Sequence, residues 1–548
     1  MKKINKYIFS LVCLLFIVTC SSCSDFLDKM PDNRAELSTP KQITELLVSA
    51  YSSGNYGVLG ELSSDNFIDN NSPDDNGRYY NLSPFERMHD EIYAWEAAVS
   101  SDEQDSPSEV WSGCYHAIAV ANHALQAIEK LEAAGRANEV KAQKGEALLI
   151  RAYHHFILVN MFSQTYKNES LSKQDAGIPY ITIPETKVMV DYDRSTVTAV
   201  YDSIESDLTV GLDLIDDSNY EVLKYHFNKR AANAFAARFY LFKRDYEKVV
   251  KYATVAISND PTPYLRNWNE DYATSLSFAY GYINASSSNN FLLIPTKSWT
   301  NRIFGTRYGC NREASKATIY GTGPTWSGYS YAPCYNGRLY IRDSQEYGLL
   351  FPKCGEIFEY TDKVAGIGFG HIVRAEFTGE ETLLCRAEAY VYLNQFSSAV
   401  ADLKAFDDSR KMVGFNYSTL TESLIRSFYT SSRPLFVNTF NTDKLSPDFV
   451  VSASQKPLID CVLHFRRLET IFDGMRWLDI KRYGIEITHK IGPNTVKTLT
   501  WDDSRRALQI PQEVIAAGLD GNTRLVTGGT LEDTSFNPSI IREIKNQE

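Results

Sequence analysis

Phe465-Arg466-Arg467-Leu468-Glu469-Thr470-Ile471-Phe472-Asp473-Gly474-Met475-Arg476-Trp477-Leu478-Asp479-Ile480-Lys481-Arg482-Tyr483-Gly484 is the stretch whose reading decides the rest of the chain. At helical period, Phe465, Leu468, Phe472, Met475 and Leu478 fall on one stripe, and Ile471 and Trp477 widen it. The pattern predicts a long, mostly buried helix that Gly484 ends. Yet the same stretch carries Arg466, Arg467, Glu469, Asp473, Arg476, Asp479 and Arg482. Charges on a buried helix are tolerated only when paired. Glu469, Asp473 and Arg476 stand at i,i+4 and i,i+3 steps that can supply pairs within the helix. The charges read either as an ion network or, less economically, as a catalytic carboxylate pair.

Working outward, the clearest internal signal is a repeat. In Phe227 to Pro261, Ala237, Tyr240, Asp245, Tyr246, Ala253, Ala256 and Pro261 take the spacings of a tetratricopeptide repeat. Small residues let two helices approach, aromatics fill the space beside them, and the proline closes the unit. Glu381 to Phe406 holds a second copy, with Ala387, Tyr390, Phe396, Ala399 and Leu403 in the same relative places. A tandem array would not separate copies so widely, so both read as parts of one scaffold interrupted by an insertion. Upstream, helices are expected after Thr39-Pro40, through Trp111 to Ile128, over Ala137 to Phe162, and after an Asp193-Arg194-Ser195-Thr196 cap. Glu486 to Thr500 alternates as a hairpin around Gly492-Pro493-Asn494.

The insertion, about 262–374, reads as loops and short strands rich in Gly, Ser, Asn, Tyr and Trp. Loops held on a rigid scaffold carry function. Exposed Trp and Tyr can stack on the apolar C–H face of a sugar ring while Asn, Asp and Arg bond its hydroxyls; they serve peptides equally. The ligand-contact expectation falls on Trp299, Trp326, Tyr329 and Tyr331, with Asp65, Asn66 and Trp95 from the earlier loops. Pro73-Asp74-Asp75-Asn76-Gly77 has only the composition of a calcium loop, without the acidic ligand at the required spacing, so no metal and no cofactor are assigned.

The amino terminus sets the compartment. Lys2, Lys3 and Lys6 precede an apolar core from Ile8 to Val18 that is short for a membrane span. Ser21-Ser22-Cys23 then resembles a lipobox, with Cys23 as the lipidated residue and Cys20 the runner-up. Residues 1–22 contain three lysines and no acids, so their removal takes the net charge from −12 to −12 − 3 = −15. An acidic chain without a basic run argues against nucleic-acid binding. Of the six cysteines that remain beside Cys23 once residues 1–22 are removed, none falls in a C-x-x-C pair. Cys385 and Cys461 lie on helical patterns and read as core residues, whereas a disulfide among Cys310, Cys334 and Cys354 is allowed.

In this order the pieces resemble the SusD/RagB family of outer-membrane lipoproteins over nearly the whole chain. The residues that carry the resemblance are Cys23-Ser24-Asp25-Phe26-Leu27-Asp28; Trp111, Tyr115, Ile118 and Asn122; Gly145-Glu146-Ala147 with Arg151-Ala152-Tyr153; Arg194 and Thr196; Arg386-Ala387-Glu388-Ala389-Tyr390; Glu469, Asp473-Gly474, Arg476-Trp477, Asp479, Arg482 and Gly484; and Ile510-Pro511-Gln512. Phe536-Asn537-Pro538-Ser539 departs from the family's usual terminal Asn-Pro-Gly. The resemblance implies a signal peptide (1–22) and one SusD-like domain (23–548). That domain would be mostly α-helical, a scaffold of four tetratricopeptide-like helix pairs carrying the loop-rich insertion and short β hairpins. It further implies a non-enzymatic surface lipoprotein that captures glycans, or peptides in some cases, for a SusC-like TonB-dependent transporter. Two other classes compete. A secreted glycoside hydrolase would use Glu469 and Asp473, although flanking arginines would keep both ionised and spoil an acid role. A repeat scaffold that binds only proteins would need no small ligand.

Overall fold

A computed structural model describes residues 37–185, 192–268, 281–326, 340–341, 348–350, 353, 355–430 and 435–524. Amphipathic segments started by polar caps make most of the structure. Thr39 and Gln42 form a reciprocal cap on α1 (Pro40–Leu47), and Asn55 caps α2 (Tyr56–Ser63). Ser106, with Pro107 behind it, opens α3 (Pro107–Ala133), which packs along α4 (Lys141–Phe162). As expected, Thr196 caps α5 (Val197–Leu214), which covers the other side of α4.

The two repeat copies are helix hairpins. The first is α6 (Lys229–Lys243) with α7 (Tyr246–Ile257); the second is α8 (Gly379–Tyr392) with α9 (Phe396–Arg410). Although far apart in sequence, α7 packs directly on α8. Tyr246 stacks on Tyr392 at 4.3 Å between ring centres. Arg386 on α8 donates to the Ser258 carbonyl after α7 (2.7 Å) and to Asp402 on α9 (2.8 Å). The insertion therefore interrupts the sequence but not the stack.

A three-stranded antiparallel sheet of order β1-β3-β2 stands beside the stack, built from β1 (Asn290–Lys297), β2 (Ile357–Asp362) and β3 (Ile367–Thr378). Thr378, the last residue of β3, is also the cap of α8, so sheet and scaffold are covalently continuous. The hairpin expected near Gly492 is present as β4 (Ile487–Ile491) and β5 (Thr495–Leu499). No strand forms over Leu508–Pro511; the chain there enters a short helix, Gln512–Ala516.

The long helix expected over 465–484 is two helices, α10 (Lys456–Glu469) and α11 (Met475–Tyr483). Between them Phe472 (φ 70°) and Gly474 (φ 79°) adopt left-handed backbone. The break is imposed by close approach to α2. A Cβ on Gly60 would run into the main chain of Gly474, and the Gly474 N–H donates to Glu61 Oε1 (2.9 Å). Apolar period survives the turn because Phe472 still faces inward, against Phe67 and Phe304.

The charges are paired, but Glu469, Asp473 and Arg476 find partners outside the stretch rather than one another. Glu469 binds Arg266 (3.3 Å) and Arg410, Asp473 binds Lys353 (2.6 Å), and Arg476 binds Asp65 (2.8 Å). A longer chain alternates sign through the interior. Arg374 meets Glu376 (3.1 Å), which meets Arg238 (2.7 Å), which meets Glu381 (3.2 Å). Glu381 meets Arg466 (3.5 Å), then Asp479 (3.0 Å), Arg482 (2.7 Å) and Glu388 (2.8 Å). All eight groups are buried. The arginines hold the Glu376 and Asp479 carboxyls below the usual carboxylate range against the opposing effect of burial.

Glu381→Ala should leave Arg238 and Arg466 facing each other without their shared carboxylate. Its expected cost is about 3–5 kcal/mol in denaturant unfolding. Glu422→Ala, which opens the half-exposed surface pair with Arg426, should cost no more than about 1 kcal/mol. Equal effects from the two variants would contradict the assigned role of the buried chain.

Candidate functional site

One polar hub joins the buried charges to the loop face. Asn55 Oδ1 accepts from Arg374 (2.6 Å) and from the Gly57 N–H (3.0 Å). Its Nδ2 donates to Asp105 (3.2 Å), Ser298 (2.9 Å) and Thr300 (3.1 Å). Asp105 is wholly buried and accepts from Ser298 Oγ (2.7 Å) and from the Trp299 N–H (2.7 Å). Asp105 itself has φ 66°, a conformation an L side chain adopts at a cost and that this web of bonds holds. Burial raises its carboxyl to about 7 despite the donors around it, and Glu86 adds to the rise.

This web fixes Trp299, which precedes the short helix Thr300–Ile303. Its half-buried ring packs edge-on against Phe85, 5.4 Å between centres. The neighbouring loops are equally tied. Ile68–Asp69 pairs with Tyr308–Gly309 as a two-residue ladder, and Arg307 bridges Asp69 (2.7 Å) and Asp90 (3.1 Å). Asn71 exchanges two hydrogen bonds with the Leu82 backbone, closing the loop between them. In Pro73–Gly77, Asp74 spends its carboxylate on the Asn76 and Arg78 N–H groups and the Arg78 guanidinium, a turn rather than a metal loop. Among the described residues no cluster of His, Cys, Asp or Glu is arranged to hold a metal ion.

The structure corrects several expected ligand contacts. Trp326 is only 9% exposed: its ring covers Gly323, stacks towards Phe465 (6.2 Å) and donates Nε1–H to the Gly321 carbonyl (2.9 Å). It pins the glycine-rich segment to α10. Trp95 is 3% exposed, stacks on His489 at 4.1 Å and donates to the Ser63 carbonyl (2.9 Å). Asn66 is buried between Arg467 (2.7 Å) and Glu61 (2.9 Å), and Asp65 is held by Arg476 and Arg467. Trp326, Trp95 and Asn66 are buried and secure the loops, while Asp65, its side chain 28% exposed, spends its carboxylate on the two arginines. Trp299 alone of the expected contacts that are described retains an accessible ring; Tyr329, Tyr331 and the lipidation candidate Cys23 lie outside the described residues. Cys310 is a free, buried thiol, pushed up to about 12 by burial, while Cys334 and Cys354 also lie outside the described residues. Sequence reasoning missed Asn55, Phe85 and Asp105, for which no period or motif gives a signal; only the folded chain brings them to Trp299.

Comparison with known proteins gives a consistent picture. A family model described as "Starch-binding associating with outer membrane" matches residues 25–241, and the SusD family model matches residues 305–527. Among solved structures, a SusD superfamily protein from Bacteroides vulgatus superposes with a TM-score of 0.59 at 18% identity, over 88% of this chain and 98% of its own. Another, from Bacteroides thetaiotaomicron, gives 0.59 at 17%, over 89% and 100%. A SusD-like carbohydrate binding protein from B. vulgatus gives 0.55 at 16%, over 88% and 96%. A search of curated proteins found no significant match. At these identities the solved structures establish the helical fold.

Two outcomes follow from the geometry. Trp326→Ala should destabilise by about 3–5 kcal/mol, whereas Trp299→Ala should cost much less, read by chemical denaturation. Asp105 has a folded pKa raised to about 7, so its contribution is complete below the unfolded value of about 4 and is lost as pH rises through about 7. The stability difference between wild type and Asp105→Asn should therefore shrink from pH 4 to pH 8, on the order of the window those two values define. A difference that grows over that range would refute the assignment.

Proposed function

From its place in the SusD/RagB family, to which this chain belongs, we propose that the protein captures glycan nutrients at the cell surface and passes them to a SusC-like TonB-dependent transporter. The observation that carries the glycan reading is the pre-set Trp299 ring with Phe85 at its edge. Its backbone N–H is tied to Asp105, and through Asn55 to the charged interior. A fixed aromatic face suits the apolar face of a pyranose, and little conformational freedom is lost when it is covered. The SusD-like carbohydrate binding protein from B. vulgatus, which shares this fold, agrees with that chemistry.

The anchored location rests on the amino-terminal segment and on Cys23. One family model's description names association with the outer membrane, and among the described residues no helix is long and apolar enough to cross a membrane. A lipid at Cys23 would hold the chain to the surface without a span. The transporter partner is drawn from the family resemblance.

The hydrolase alternative loses its candidate residues. Glu469 is buried against Arg266 and Arg410, and Asp473, its side chain 27% exposed, is paired with Lys353. They act as members of the ion network. Arg476→Ala and Asp473→Ala should accordingly lower stability while leaving ligand contact in place.

The test is calorimetric titration of the soluble chain from Ser24 with α- and β-linked gluco-, xylo- and manno-oligosaccharides and with oligopeptides. Wild type should bind a saccharide, and Trp299→Ala should weaken it about tenfold, the equivalent of 1.4 kcal/mol. Binding of oligopeptides alone would replace the ligand class. Turnover of a saccharide that Glu469→Gln abolishes would restore the hydrolase.

A further inference from the structure

The hairpin β2–β3 carries an aromatic surface that neither the fold nor the Trp299 site requires. Its register places Phe358 opposite Gly370 and Tyr360 opposite Gly368, so these four residues share one face of the sheet. Phe358 is 44% and Tyr360 53% exposed, and their rings meet edge to face at 4.9 Å. Exposed aromatics on a strand ordinarily sit against cross-strand side chains. Here the cross-strand positions are glycines.

The glycines have a steric reason. A Cβ on Gly368 would collide with the Glu359 carbonyl and press on the Phe358 ring; one on Gly370 would press on the Glu356 carboxylate. The Phe358 ring edge therefore lies over bare backbone at Gly368, and the residue stays 44% exposed. Glu356 leans in the same way over Gly370. Glu356, Phe358 and Tyr360 are spaced at two, which keeps them in one row.

At one end of that row Glu356 is clamped by Arg302, with Nε to Oε2 at 2.9 Å. Arg302 lies in the turn that begins at Trp299, and its N–H donates to the Trp299 carbonyl (2.7 Å). The row thus runs from the Trp299 segment through a carboxylate–guanidinium pair to two open rings.

We infer that this face of the hairpin is a second saccharide-binding surface, which stacks a pyranose ring on Phe358 and Tyr360 and bonds its hydroxyls through Glu356 and Arg302. The inference rests on the glycan reading of the Trp299 site and extends it to a longer chain spanning both. The mixed chemistry selects the ligand. A wholly apolar partner would bury the Arg302–Glu356 pair without hydrogen bonds to replace water. A sugar offers a C–H face to the rings and hydroxyls, which both donate and accept, to the ion pair. Two linked contacts on one chain raise affinity through effective concentration rather than through either site alone.

The experiment compares disaccharides with hexasaccharides of the same linkage, chosen from the panel that wild type binds, on wild type, F358A/Y360A and W299A. The double variant should bind the hexasaccharide about tenfold or more weakly and the disaccharide as wild type does. Because both rings are exposed, its unfolding midpoint should be unchanged. Hexasaccharide binding by F358A/Y360A at wild-type strength would overturn the second surface and leave the Trp299 reading standing. Failure of wild type to bind any saccharide would overturn both.

Discussion

The interior is organised by a continuous run of opposite charges: Arg374, Glu376, Arg238, Glu381, Arg466, Asp479, Arg482 and Glu388. Four guanidiniums face four carboxylates, so the run is neutral as a whole, and every charge but the last at each end has a neighbour of opposite sign on both sides. Desolvating an ion costs several kcal/mol even after relaxation, and a good partner only roughly returns it. Such a run adds little net stability over an apolar core. What it supplies is a penalty for every incomplete arrangement, because displacing one element strands charges on others. The run joins three parts that the sequence keeps far apart: α6, the continuous β3–α8 segment, and the α10–α11 pair.

The same constraint reaches the loops through short polar steps. Arg374 bonds Asn55, Asn55 bonds Asp105 and Ser298, and Asp105 holds the Trp299 backbone. Tyr56, one residue on, donates to Glu376 (2.8 Å), so α2 is tied to the run directly as well. At the far end of α11, Lys481 donates to the Asn160 and Ser163 carbonyls at the end of α4, at 2.5 and 2.7 Å. Burial and Arg506 lower this lysine to about 7, and the two carbonyls take two of its donors without a carboxylate. Helix ends, which leave carbonyls unpaired, are thereby turned into attachment points for the neighbouring helix.

Local patterns made the scaffold legible. Caps at Thr39 and Thr196, the Ala237, Ala253 and Ala256 approach, and the Gly492 hairpin each depend on residues within a few turns of one another. The break at Thr470–Gly474 was not legible, because apolar period continues across it and its cause, the main chain at Gly60, is some four hundred residues away. The partners of Glu469 and Asp473 escaped for the same reason: Arg266, Arg410 and Lys353 come from other segments. The candidate site was read only in part. A tryptophan in a glycine-rich, polar stretch looks exposed, but glycine also lets a ring lie flat on the backbone. At Trp326 that second property governs, since its ring covers Gly323.

Glycine next to an aromatic ring therefore has two outcomes in this fold, and what covers the rest of the ring separates them. At Trp326 the glycine supports one face of the ring, while Phe465 and His464 close around the rest, leaving a plug. At Phe358 the ring edge lies over Gly368, but the residue stays 44% exposed, leaving a platform. A platform held this way does not depend on a packed core behind it, which an exposed two-stranded hairpin cannot provide. Its rigidity comes from backbone contact on one side and from the Arg302–Glu356 clamp at its base. The helical stack and its buried charges fix where the loops and the sheet stand.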